Sequence, residues 1–113
     1  TNIAQHMKGA DLVITGEGRV DFQTAFGKTP SGVAKAARKY AVPTIAIGGS
    51  ITDDANAIFA HGIDGLESTY AREMPLAEVM ANSKTYIANA AERVLRLVLI
   101  GKKVAAKKSK RRK

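Results

Sequence analysis

The sequence predicts an α/β fold, a Rossmann-like parallel sheet layered with helices, and three observations carry the prediction. Two short apolar runs, LVI at 12–14 and TIAI at 44–47, each lead into a glycine. Segments with apolar residues at helical spacing lie between and after those runs. The resulting strand-helix alternation calls for right-handed crossovers and a parallel sheet with helices packed over it.

The first strand is expected at 11–15, DLVIT, because a short apolar run ended by glycine suits a strand buried on both faces. A loop from Gly16 to Thr29 follows. From Pro30 to about Ala41, Val33, Ala36, Ala37 and Tyr40 recur at helical spacing, with charges at Lys35, Arg38 and Lys39. Thr29 suits the N-cap and Pro30 the first helical position, where a missing N–H costs nothing. The second strand is expected at 44–47, after Pro43, and closes on Gly48, Gly49 and Ser50. Thr52 is then placed to cap a second helix, DDANAIFAHG, whose early Asp53 and Asp54 suit the helix dipole and whose Gly62 can end it.

A weaker strand is expected near 63–68. After Pro75, one long helix is read from Leu76, Val79, Met80, Ile87, Ala90, Ala91, Val94, Leu95 and Val98. Met80 is assigned to the core, Met7 and Met74 to its edges, and His6 to the surface. Tyr40, Tyr70 and Tyr86 read as packing residues, and His61 as a neighbour of helix-terminal carbonyls. Three strands with three helices leave apolar sheet surface for another segment, or a second copy in a homodimer, to cover.

Composition narrows the functions. The 113 residues contain no cysteine, which excludes disulfides and thiolate metal sites and is compatible with a cytoplasmic location. His6 and His61 lack the spacing of a zinc site, and no apolar window is long enough for a membrane span. The start, TNIAQHMK, lacks a secretory pattern and begins on threonine, as an excised piece would. The net charge of +8 is unevenly placed: residues 1–101 hold ten cationic and ten acidic side chains, so 102–113 supplies the excess. The expected organisation is therefore a folded segment, 1–101, and a basic flexible tail, 102–113. Phosphate attraction by that tail would be nonspecific, since no aromatic residues interleave it, and a solvated tail is the preferred reading over a nucleic-acid binder.

Ligands of open parallel sheets collect beyond the carboxyl ends of the strands, where the 16–29 and 48–52 segments are expected. Gly16, Gly18 and Gly27 allow close backbone approach there. Arg19 and Lys28 suit phosphate or carboxylate, and Gln23 and Thr24 can orient oxygens. Asp21 and Glu17 can hold Mg²⁺ or accept a hydroxyl proton. The alternative reading is structural, with Glu17 and Arg19 as a local ion pair and Thr29 as a cap only. Neither standard phosphate-loop pattern is met, since Asp21 stands where the dinucleotide pattern needs a small residue and Phe22 where the NTPase pattern needs glycine.

The run GEGRVDFQTAFGKTPSGVA, Gly16 to Ala34, resembles the carboxy-terminal signature of the bacterial-type glycerate kinase family, GEGRxDxQTxxGKxPxGVA, at every fixed position. GIDGLESTY, MPLAEVMANS and the last helix also resemble that family, so the likeness extends over about 8–101. The resemblance implies a kinase that moves the γ-phosphoryl group of ATP, with Mg²⁺, to a hydroxyl of D-glycerate in a cleft between two α/β domains. It also implies that this chain is the C-terminal portion of a discontinuous Rossmann-like domain, inactive without the family's N-terminal and central segments. On that reading Asp21 is a base or metal-orienting group, with Glu17 second, and Arg19 and Lys28 neutralise charge. Gly16, Gly18, Gly27, Gln23 and Thr24 would contact substrate or nucleotide. A noncatalytic module that binds a nucleotide or small acid is the alternative from another class.

Overall fold

The structure is a computed structural model describing residues 3–20, 29–70 and 72–112. It divides into two compact units, Thr1–Ala71 and Arg72–Lys113.

The first unit runs α1 (Ile3–Met7), β1 (Val13–Val20), α2 (Thr29–Lys39), β2 (Thr44–Ile51), a 3₁₀ helix (Ala55–His61) and β3 (Gly65–Ser68). The three strands form a parallel sheet in the order β1-β2-β3, the α/β architecture expected from the alternation. Central β2 is almost continuously buried from Thr44 to Gly48, which is why its sequence lacks a polar alternation.

Two strand ends differ from expectation. β1 and β2 do not stop at Thr15 and Ile47 but continue through their glycines, pairing Glu17 with Gly48, Arg19 with Ser50 and Val20 with Ile51. Glycine is a poor strand former, yet two glycine-containing runs laid side by side satisfy each other's backbone groups, and that outweighs propensity.

Two small cores hold the unit together. Ala34, Ala46, Ala55, Ile58 and Ile63 form one, with Leu66 against it; Met7, Ala37 and Val42 form the other, flanked by Ile3, Val13 and Val33. α2 serves both, through Ala34 and Ala37, and these small side chains let it approach closely. Full burial of an isoleucine such as Ile58 contributes about 1.5–3 kcal/mol. Met7, expected at an edge, is 6% exposed because α1 carries it onto Ala37 and Val42.

α2 ends in a Schellman motif. The Val42 N–H donates to the Ala37 carbonyl (2.9 Å) and the Ala41 N–H to that of Arg38 (3.1 Å), with Ala41 in the left-handed region at φ 56°. Glycine is the usual residue there, so Ala41 carries a steric cost.

The segment after β2 forms a 3₁₀ helix where an α-helix was expected. The Ala55 N–H donates to the Thr52 carbonyl (3.1 Å) and the Ala57 N–H to that of Asp54 (3.2 Å), both three-residue steps. The Thr52 hydroxyl donates to the Asp54 carboxylate, a local bond that draws it from a capping role. Gly62, at φ 97°, ends the segment as expected.

The second unit contains α3 (Leu76–Ala81) and α4 (Ser83–Arg112) where one helix was expected. Asn82 (φ −120°) breaks it: its Nδ2 donates to the Glu78 carbonyl at 3.0 Å and its own N–H to the same oxygen at 3.2 Å. Such side-chain competition is how asparagine interrupts helices. Of the expected apolar stripe, Ala90 and Val94 are buried, while Leu76 and Met80 are 74% and 69% exposed, so the core assignment of Met80 is corrected. Met80 lies on a two-turn helix broken directly after it by Asn82, so the stripe read as continuous does not hold its register there. Arg72 pairs with the Glu78 carboxylate, and that hydrogen bond raises the Arg72 pKa further.

The basic segment expected as a flexible tail continues α4 to Arg112. Lysine, arginine and alanine are good helix formers, and cations in a last turn are favoured by the helix dipole.

Candidate functional site

The ladder brings one half of the signature to the carboxyl edge of the sheet. Gly16 stands opposite Ile47, which stands opposite Glu67; one step on, Glu17 faces Gly48, which faces Ser68. Arg19 faces Ser50. Gly16, Glu17, Gly18 and Arg19 thus belong to a strand edge and not to the loop assigned from sequence. Asp21, Gln23, Thr24, Gly27 and Lys28 lie outside the described residues.

The signature resumes at Thr29, where α2 begins. The amino end of an α-helix has N–H groups without intrahelical partners, and these favour an anion. Residues 21–28 therefore connect a glycine-containing strand edge to a helix start. A Cβ built on Gly16 would meet only the Ile47 carbonyl oxygen, at 3.9 Å, an ordinary contact. Among the described residues, sheet packing does not demand glycine at 16.

β3 adds two residues that the sequence reading passed over. Glu67 is half-buried and accepts the Ser68 N–H at 2.8 Å; the Ser68 hydroxyl donates to the Tyr70 carbonyl at 3.1 Å. The Thr69 N–H donates to the Gly48 carbonyl at 2.9 Å, extending the row past β3. The signal was available: an acid-hydroxyl pair, GLEST, ends a strand at the height of GEG and GGS. What this edge can do is present backbone groups and hydroxyls to an oxygen-rich anion, with two acidic residues, Glu17 and Glu67, in the same rows.

No group of three or more potential metal ligands gathers among the described residues. Glu17 and Asp21 supply carboxylate oxygens, the donor type Mg²⁺ takes when phosphate and water complete its shell, so the donor chemistry fits. The opposite edge of the sheet holds a cleft of about 430 Å³ whose lining includes Arg38, Val42, Pro43, Phe59 and Asp64. It contains no signature residue, and the Asp64 carboxylate is engaged there by the Thr44 N–H at 2.8 Å. Among the described residues no helix is long and apolar enough to cross a membrane.

Comparison with known proteins draws on both sequence and fold. The sequence profile of the glycerate kinase family matches residues 1–99. Glycerate kinase of Halalkalibacterium halodurans is 50% identical over 94 residues, 83% of this chain and 25% of that protein. The Bacillus subtilis glycerate kinase is 47% identical over 96 residues, 85% of this chain and 25% of its relative. Glycerate 2-kinase of Escherichia coli K12 is 40% identical over 100 residues, 88% and 26% respectively. A crystal structure described as a glycerate kinase 2 candidate from Salmonella typhimurium LT2 superposes with a TM-score of 0.65 at 36% identity, covering 89% of this chain and 25% of that one. The chain therefore spans about a quarter of the length of the relatives it matches.

Proposed function

This chain belongs to the glycerate kinase family, and from that premise we propose that it forms one wall of a site where the γ-phosphoryl group of ATP passes to a hydroxyl of D-glycerate. The observation that carries the reading is the complete signature running from the carboxyl half of β1 to the start of α2, across from the glycines of β2. Phosphoryl transfer depends mainly on positioning and on neutralising charge, and the residue types here suit both tasks. Arg19 and Lys28 bind the glycerate carboxylate or the phosphate oxygens. Asp21 accepts the proton of the attacking hydroxyl or orients the metal, with Glu17 beside it in sequence. Gln23 and Thr24 orient oxygens, while Gly16, Gly18 and Gly27 admit the ligand close to the backbone. Magnesium, held by Asp21, Glu17 and phosphate oxygens, would supply charge neutralisation at the transferring group.

The remaining walls belong to the N-terminal and central segments that make up the other three quarters of the family's length. Ile14, Ile51 and Phe59 in the first unit are exposed, as surfaces covered by such segments would be in a separate piece. The test is a chimera of the B. subtilis glycerate kinase in which residues 1–99 of this chain replace the matching quarter. Formation of ADP and phosphoglycerate with ATP, Mg²⁺ and D-glycerate is expected, with no turnover by the isolated chain. A chimera that folds cooperatively and binds ATP but leaves glycerate unphosphorylated would overturn the assignment.

A further inference from the structure

The family match stops at residue 99, yet α4 continues unbroken to Arg112. The continuation has its own character. No acidic residue follows Glu92, eight of the twelve residues from Lys102 to Lys113 are cationic, and every position from Leu95 to Arg112 is exposed.

At 100° per residue, Lys103, Lys107 and Lys110 align along one side of the helix and Lys108 and Arg112 along the opposite side, with Arg111 and Lys102 between them, so that cations surround the helix. A flat lipid surface attracts cations on one polar face above one apolar face. Cations on two opposite sides instead fit a partner whose negative charge rises on both flanks of the helix. A nucleic-acid duplex has that form: the major groove of B-DNA is about 12 Å wide, admits an α-helix and is walled by phosphates. The segment from Lys102 to Arg112 is about 16 Å long at the α-helical rise, long enough to contact several phosphates on each wall.

We propose that the carboxyl-terminal part of α4, Lys102 to Arg112, binds duplex nucleic acid by lying in its groove with the Lys103-Lys107-Lys110 side toward one phosphate wall and the Lys108-Arg112 side toward the other. The binding is sequence-independent. With its cations directed to the phosphate walls, and with no asparagine or glutamine to pair with adenine and no aromatic side chain to stack on bases, phosphate attraction supplies the affinity. This surface lies outside the family match and does not depend on the kinase reading.

The full chain titrated into a fluorescein-labelled mixed-sequence DNA duplex of about 20 base pairs, with salt varied from about 50 to 200 mM, reads this directly by anisotropy. Saturable binding is expected, with log K falling against log salt at a slope of roughly −4 or steeper. Replacing Lys107, Lys108, Lys110, Arg111 and Arg112 together by Gln should weaken it at least ~10-fold. Ala105→Pro keeps every charge but interrupts the helix, and should weaken binding several-fold and flatten the salt slope. Absence of binding by the parent at low salt, equal binding by the five-fold variant, or undiminished binding by Ala105→Pro would overturn the proposal. So would tight association with phosphatidylglycerol vesicles and none with the duplex.

Discussion

Thr44 and Asp64 bind each other reciprocally: the Thr44 N–H donates to Asp64 Oδ2 and the Asp64 N–H donates to the Thr44 carbonyl, both at 2.8 Å. Thr44 is wholly buried, so its N–H has no solvent to turn to. The pair joins the start of β2 to the residue that leads into β3. Asp64→Ala should cost about 1–3 kcal/mol, while Asp64→Asn, which keeps an acceptor oxygen, should lose less than half as much. Urea unfolding of the three proteins measures this, and equal midpoints would refute it.

The two left-handed positions predict opposite responses. Ala41→Gly relieves the steric cost at φ 56° and should stabilise by about 1 kcal/mol after the added freedom of the unfolded chain is subtracted. Gly62→Ala, at φ 97° with Arg38 Nη2 3.0 Å and Ala34 Cβ 3.3 Å from the new methyl, should destabilise by about 1–3 kcal/mol. Thermal melts that move in the same direction for both would contradict the backbone assignment.

Ile58 and Met80 provide a core-surface contrast. Ile58→Ala removes a side chain that is 1% exposed and should cost about 2–5 kcal/mol. Met80→Ala should stay within about 0.5 kcal/mol. Chemical denaturation reads both, and a large loss from Met80→Ala would restore it to the core.

Gly16→Ala separates structure from ligand contact. Among the described residues the nearest atom to the added methyl is at 3.9 Å, so stability in the B. subtilis chimera should change by less than about 1 kcal/mol. Glycerate phosphorylation should fall at least ~10-fold, because the methyl intrudes where the ligand meets the backbone. Unchanged kcat/KM would remove Gly16 from the ligand-contacting set.

Arg19 is the cationic residue of the signature that β1 itself carries to the carboxyl edge. In the same chimera, Arg19→Ala should reduce kcat/KM by at least ~100-fold and Arg19→Lys by less, as expected for loss of a charge-assisted contact. Full activity of Arg19→Ala would exclude its assigned role.

The α/β class and the order of strands were legible because LVI and TIAI are apolar, β-branched and flanked by helical spacing. Strand ends were not. Gly16, Gly18, Gly48 and Gly49 read as loop residues by propensity, and only knowledge of the partner strand shows that the two runs pair. The burial of Met7 was hidden for the same reason, since a five-residue helix has too few turns to display a periodicity. Asn82 breaks a helix through a side-chain bond that periodicity does not register. At the candidate site, the signature gave residue identities before any geometry, whereas Glu67 and Ser68 became visible only once β3 was aligned with β2.

β1 pairs with β2 on one side and with no other described strand, so its eight residues form an edge of the sheet. That edge contains no proline, and every second backbone group points away from β2. Native sheets protect such rows by covering them or by crowding them with charge. Among the described residues, this chain therefore carries a template for intermolecular strand addition along β1, a surface that a neighbouring segment or a second chain would satisfy.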